Sequence, residues 1–258
     1  MHHIPRKRFG QHFLEDPFVI QQILAAMQLE KNDKVVEIGP GLGALTKSLL
    51  TKLPKLSAIE IDRDLQAHLE KLFPADRLTL IKKDALEVDY SLFGHSLRIV
   101  GNLPYNIGTA IILHCLRYQE NIRDMHFMLQ KEVAERLTAK PGSKDYGRLT
   151  VMVQYHCELE FLFEVPPEVF SPPPKVYSGV VRLEPYACLP YGPVDLKSFY
   201  RVLLKAFSMR RKTLFNNVKD LFTLAELERL GIDPKSRAED IDVKKFVILA
   251  NYLSNKGK

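Results

Sequence analysis

Up to about Glu184 the chain alternates short apolar runs with longer amphipathic ones. Five runs are apolar throughout or nearly so: Val35–Ile38, Leu56–Ile61, Leu78–Ile81, Leu97–Val100 and Met125–Leu129. A strand covered on both faces has no polar side to present, so these read as central strands of a parallel sheet. The segments between the first four have room for helices or loops, and the alternation predicts a doubly wound α/β fold. Ahead of the first strand, Asp16 is placed to cap a helix over Phe18–Met27. Pro17 falls in its first turn, where a missing N–H does no harm.

After Tyr146 the pattern changes. Leu149–Tyr155 and Leu159–Val165 read as further strands, and Lys175–Leu183 as a last one, antiparallel at the end of the sheet. The prolines Pro166-Pro167 and Pro172-Pro173-Pro174 stiffen the chain between them. Pro185, Pro190, Gly192 and Pro193 then mark a linker. Beyond it the pattern is helical: Asp195–Phe222 with one break allowed, Thr223–Leu230 stopped by Gly231, and Val243–Ser254. The expected division is a catalytic domain over residues 1–187 and a small all-α domain over 188–258.

With 258 residues, 46% of them hydrophobic, the chain can bury a sizeable core. Charge changes the picture more. The net charge is +6, and the stretch from Cys188 onward holds 14 Lys/Arg against 8 Asp/Glu, so the C-terminal quarter carries the whole excess. Lys205, Arg210, Arg211, Lys212 and Lys219 fall within about four helical turns. A second cluster, Arg6-Lys7-Arg8, opens the chain. Clustered cations suit a polyanion, and both groups are candidate contacts to RNA phosphates. Cys115, Cys157 and Cys188 are odd in number and lack metal-ligand spacing, which suits reduced thiols in a cytoplasmic protein. No apolar run is long enough to span a bilayer, and no apolar signal core follows the basic start.

The first strand runs into Glu37-Ile38-Gly39-Pro40-Gly41-Leu42-Gly43-Ala44. A glycine turn between strand and helix lets a ligand approach the backbone. About twenty residues on, the second strand ends near Glu60, whose carboxylate can accept both ribose hydroxyls of a nucleoside, the position an acidic residue takes in such sites. Asp84, after the third strand, can accept from an adenine amino group or cap a helix. Gly39, Gly41 and Ala44 also satisfy a dinucleotide fingerprint, so the loop alone leaves a nicotinamide-dependent dehydrogenase open.

The fourth strand decides the chemistry. It ends in Gly101-Asn102-Leu103-Pro104-Tyr105, which resembles the Asn/Asp-X-Pro-aromatic motif of methyltransferases acting on ring-conjugated amino groups. The lone pair of adenine N6 is delocalised into the ring, so this nitrogen is a poor nucleophile. The Asn102 carboxamide oxygen and the Leu103 carbonyl can each accept an N6 hydrogen, which favours a pyramidal nitrogen and stabilises the positive charge that develops. Pro104 stiffens the turn, and Tyr105 offers a face on which the base can stack. A dehydrogenase has no use for this arrangement.

With these residues, the chain closely resembles the bacterial small-subunit ribosomal RNA adenine N6,N6-dimethyltransferases over nearly its whole length. The resemblance also rests on Phe9-Gly10-Gln11-His12-Phe13-Leu14, Met128-Leu129-Gln130-Lys131-Glu132-Val133, Tyr146-Gly147-Arg148-Leu149, Pro172-Pro173-Pro174-Lys175-Val176, Phe207 to Lys212 and Asn251-Tyr252-Leu253. It implies a Rossmann-like class I methyltransferase sheet with a C-terminal helical domain, and S-adenosylmethionine as cofactor. Gly39, Glu60, Asp84 and Asn102 would fall on cofactor positions, beside Gly41. The segment around His12 and Leu14 would close over the cofactor, although many members carry Asn in place of His12. Phe170 would form the second face of the base sandwich. Tyr177, where many relatives have Asp, receives no function. The substrate implied is a pair of adjacent adenosines in a hairpin loop near the 3′ end of 16S RNA, in the small ribosomal subunit, with a further role in ribosome assembly. Neither metal nor membrane is expected, and the protein is expected to be a monomer. A methyltransferase acting on large-subunit RNA would share the sheet, the loop and the Asn102 motif; the match around Arg210-Arg211-Lys212 favours the small subunit.

Overall fold

The computed structural model describes residues 11–256. The Arg6-Lys7-Arg8 cluster lies outside them. In chain order the first elements are β1 (Phe13–Leu14), α1 (Pro17–Met27), β2 (Lys34–Ile38), α2 (Ala44–Lys52), β3 (Leu56–Ile59), α3 (Arg63–Leu72), β4 (Leu78–Ile81), β5 (Leu97–Asn102) and α4 (Gly108–Cys115). They are followed by β6 (Ile122–Gln130), α5 (Lys131–Thr138), α6 (Arg148–Gln154), β7 (Cys157–Val165), β8 (Phe170–Ser171) and β9 (Ser178–Pro185). Helices α7 (Leu196–Ala206), α8 (Leu214–Val218), α9 (Leu224–Arg229) and α10 (Val243–Lys256) complete the chain.

The main sheet has the order β4-β3-β2-β5-β6-β9-β7. Strands β4, β3, β2, β5 and β6 are parallel neighbours, which accounts for their nearly continuous apolar sequences. Strand β9 is antiparallel to β6 as expected, but it lies inside the sheet, with β7 beyond it. The order reverses at β2, whose neighbours are β3 and β5, and ligands of such sheets bind beyond the carboxyl ends of the strands at that point. Asp16 caps α1: its Oδ1 accepts the N–H groups of Phe18 and Val19 at 2.9 Å each. The helix buries Val19, Ile20, Ile23, Leu24 and Met27 against the sheet residues Val35, Val100, Met128 and Val180.

The chain divides into two compact units. One comprises residues through Ala134 together with Leu159–Pro185, and the other Glu135–Glu158 together with the chain from Tyr186 onward. The second unit includes a segment the sequence reading gave to the sheet. Leu149–Tyr155, expected as a strand, is helical. Thr150, Val151 and Val153 lend this run a strand-like composition, but packing overrides β propensity. As a helix it brings Val151 and Tyr155, four residues apart, into one core with Phe199, Val202, Leu203, Phe222 and Phe246. The Thr150 hydroxyl accepts the N–H of Gly147 at 3.0 Å and donates to the Arg136 carbonyl at 2.6 Å, which fixes the start of α6. The helical run from Asp195 breaks after Ala206. Asn217 holds the break together, donating from Nδ2 to the carbonyls of Ala206 (2.7 Å) and Met209 (3.1 Å).

The three cysteines are free thiols, Cys115 and Cys157 buried and Cys188 exposed. No helix among the described residues is long and apolar enough to cross a membrane.

Candidate active site

A cavity of about 300 Å³ opens at the carboxyl ends of β2, β3 and β5. On one side lies the glycine turn after β2. Gly39, Gly41 and Gly43 have φ values of +68°, +59° and +86°, a region that side chains rarely tolerate. A Cβ at Gly41 would also sit 2.8 Å from the Phe13 ring, so the bare backbone here is required by β1 as well. Glu60, at the end of β3, is buried and lines the cavity. Its Oε1 accepts the N–H of Asp62 at 2.9 Å, and its Oε2 that of Gly41 at 3.4 Å. Burial raises this carboxyl above its ordinary value, against the pull of those N–H groups. Asp84 both lines the cavity and caps the turn that follows it, accepting the N–H of Leu86 at 2.9 Å. The cap is thus observed, and the same residue borders the cavity.

The other side of the cavity is built on the end of β5. The Asn102 Nδ2 donates to the carbonyl of His12 at 2.8 Å. This bond sets the carboxamide's orientation and leaves Oδ1 as the group available to a ligand. The Leu103 N–H donates to the Met128 carbonyl at 3.0 Å, which fixes the turn. The Pro104 carbonyl accepts from Ile107 (3.1 Å) and Gly108 (2.9 Å), leading into α4. The Tyr105 hydroxyl is 2.7 Å from the Ser178 Oγ, and its ring stacks on His12 with centroids 5.6 Å apart at 29°. The His12 ring in turn donates from Nδ1 to the Pro172 carbonyl at 2.7 Å. His12 thus engages Asn102 through its backbone and Tyr105 and Pro172 through its ring. Asn102, Leu103, Pro104, Tyr105, His12 and Leu14 all line the cavity.

Phe170 does not. It pairs with Leu14 across the β1–β8 ladder, and its ring is buried in the core that includes Leu14 and Val180. Two further groups, neither given a role from the sequence, line the cavity. Glu37 is buried, accepts the Thr46 hydroxyl at 2.7 Å, and lines the wall beside Glu60. Burial pushes its carboxyl up to about 8; the Thr46 hydroxyl opposes this, and the Glu60 charge adds to the rise. Its place two residues before Gly39 was the available signal. His126 lies buried at the cavity floor with Nδ1 3.5 Å from Asp124 Oδ1. Ser178, the anchor of Tyr105, carried no signal in the sequence.

A sequence model for the family described as ribosomal RNA adenine dimethylase matches residues 2–255. The chain belongs to the ribosomal RNA adenine dimethylase family. It is 54% identical over 256 residues to a ribosomal RNA small subunit methyltransferase A from Legionella pneumophila (strain Corby), with 99% of this chain and 100% of the relative covered. The protein of the same name from Salmonella typhimurium is 49% identical over 257 residues, with 98% and 94% covered. Among solved structures, a dimethyladenosine transferase from Plasmodium falciparum superimposes with a TM-score of 0.83 at 27% identity, covering 95% of this chain and 98% of that one. A 23S rRNA methyltransferase, ErmE, gives 0.72 at 26%, covering 94% and 99%. Both solved structures thus match the fold of this chain over nearly its whole length.

The five basic residues from Lys205 to Lys219 separate into two groups. Lys205 is paired with Asp220 at 2.5 Å. Arg210 is paired with Glu239 at 3.3 Å and donates to the Lys144 carbonyl. Arg211, Lys212 and Lys219 are exposed, and their side chains make no hydrogen bond or ion pair among the described residues. Arg211 and Lys212 lie in the break between α7 and α8 rather than on a continuous helix. Among the described residues no group of three or more His, Cys, Asp or Glu is placed to hold a metal ion.

Proposed function

We propose that this family member transfers methyl groups from S-adenosylmethionine to N6 of adenine in small-subunit ribosomal RNA, twice on each base, at two adjacent adenosines of a hairpin loop near the 3′ end. The observation that carries this reading is the Asn102 carboxamide at the cavity wall, whose Nδ2 is engaged by the His12 carbonyl so that Oδ1 is left for a ligand beside the Leu103–Tyr105 turn. The cavity suits the cofactor. The turn at Gly39 and Gly41 has no side chains to block backbone approach, and Glu60 is placed to accept ribose hydroxyls, with Asp84 near the nucleobase. When bound, the cofactor supplies an electrophilic methyl group on a sulfonium, a leaving group that requires no Lewis acid.

Asn102 Oδ1 and the Leu103 carbonyl then accept the N6 hydrogens. They strengthen as nitrogen becomes positive, which is the differential binding that accelerates the step. Tyr105, fixed at its hydroxyl by Ser178, holds the flipped base by stacking. Arg211, Lys212 and Lys219 hold RNA phosphates. Such contacts position without specifying sequence. Incubation of unmethylated small subunits with labelled S-adenosylmethionine, followed by nucleoside analysis, tests the reading. The expected product is N6,N6-dimethyladenosine at two positions. Label appearing only on large subunits, or at a different atom, would refute it.

A further inference from the structure

Asn102, Met128 and Val180 are register partners across β5, β6 and β9. Paired residues of neighbouring strands project to the same face, so the three side chains form one row across the sheet. All three line the cavity, and Met128 and Val180 are part of the apolar core below it. Two pairs further toward the carboxyl edge of β6, on the same face, stand Gln130 and Ser178, and Ser178 holds the Tyr105 hydroxyl. Along this row, Met128 and Val180 therefore form the apolar part of the cavity wall next to Asn102.

This arrangement bears on the second methyl transfer, and the inference rests on the function proposed above. Each transfer forms one N–C bond at N6 at the expense of the donor's S–C bond, whose electron pair stays on sulfur, and releases one N6 proton to water. After the first, N6 keeps a single hydrogen. Conjugation holds the new methyl in the plane of the ring, in place of one of the two original hydrogens. One of the two acceptors must then be exchanged for a surface that tolerates a methyl. Against an oxygen, the methyl would leave a buried acceptor unmet. Against Met128 and Val180 it gains apolar contact, and the unbranched thioether chain of Met128 adapts to the added volume.

We infer that Met128 and Val180 form the pocket that receives the first methyl group and so determine that the reaction continues to the dimethylated product. The test is a single-turnover time course on unmethylated small subunits, resolving mono- from dimethyladenosine. In Val180→Leu and Met128→Phe, which narrow the pocket by different means, the ratio of second to first rate constants should fall about tenfold or more, the scale for one methylene of misfit in an apolar pocket. Monomethyladenosine should accumulate. A complementary measurement uses RNA carrying N6-ethyladenosine at the target: the native protein should leave it unmodified, and Val180→Ala, which widens the pocket, should methylate it. Unchanged rate ratios in the narrowed variants, or equal slowing of both transfers, would overturn the inference, as would identical handling of the ethylated RNA by Val180→Ala and the native protein. Absence of any N6 methylation by the native protein would instead remove the function on which it rests.

Discussion

Replacing Asn102 by alanine removes one observed hydrogen bond and one proposed acceptor. Oδ1 of the carboxamide, which the bond from Nδ2 to the His12 carbonyl leaves free, is the proposed acceptor, and its loss would deprive the transition state of one preorganised group. That loss should lower the rate of methyl transfer by about 100- to 1000-fold, or about 2.7–4 kcal/mol. The nitrogen side holds the His12 carbonyl at 2.8 Å and so ties the segment around β1 to the end of β5. A neutral hydrogen bond of this kind contributes about 0.5–1.5 kcal/mol, which should appear as weaker cofactor binding. Asn102→Asp separates the two. It retains oxygen acceptors but cannot donate to His12, so it should keep more of the chemistry than Asn102→Ala and lose a similar amount of cofactor affinity. Single-turnover assays on small subunits with saturating cofactor read the first effect, and calorimetric titration of the cofactor reads the second. RNA affinity should change little, because phosphate contacts dominate it. Methylation by Asn102→Ala at the native rate would refute the acceptor role, whatever the family of the protein.

Glu60→Ala should weaken S-adenosylmethionine by about 1.5–3 kcal/mol, the scale for hydrogen bonds to a charged group, and Glu60→Gln by less; equal affinities in calorimetry would remove the ribose assignment. Tyr105→Ala should weaken capture of the flipped base by about 1–3 kcal/mol, whereas Tyr105→Phe loses only its bond to Ser178, so comparable defects in a single-turnover assay would show that the hydroxyl and not the ring matters. Alanine at both Arg211 and Lys212 should reduce the slope of log affinity against log salt by about 1.5–2 in titrations with ribosomal particles, without lowering the melting temperature; Arg210→Ala should lower stability, because Arg210 ties its turn to Glu239 and Lys144. Glu37 gives a pH signature: its carboxyl stands near 8 when folded against an ordinary value of 4.5, so the folded state binds more protons between these limits. Stability of the cofactor-free protein should therefore fall as pH rises from about 5 to about 8, by at most about 1.4 kcal/mol per pH unit, and a denaturant series with Glu37→Gln showing the same slope would rule out this source.

The motifs that carry chemistry were legible because each is local. Gly39–Gly43 is a strand-to-helix turn and Asn102–Tyr105 a strand end, so a few contiguous residues set both backbone shape and chemical identity. The parallel strands announced themselves through apolar runs, and Asp16 with Pro17 through the rules of helix starts. What surrounds the motifs was decided by residues far apart in the chain. The bond between Asn102 and His12 spans 90 positions, and Phe13 closes on Gly41 only because β1 pairs with β8. The row Asn102–Met128–Val180 exists because β9 inserts antiparallel between β6 and β7, a matter of register that no single segment encodes. Leu149–Tyr155 has the composition of a strand and becomes a helix because its apolar residues find the core around Phe199 and Phe246. Likewise the charge of the C-terminal quarter could be counted from the sequence. Which cations remain available was settled by ion pairs, with Lys205 and Arg210 engaged within the fold and Arg211, Lys212 and Lys219 exposed. Sequence alone determined the chemical motifs and the parallel strands that carry them, since these follow from residue type and local backbone geometry; tertiary packing decided the state of Leu149–Tyr155 and which distant groups complete the site, since burial and strand register are properties of the whole chain.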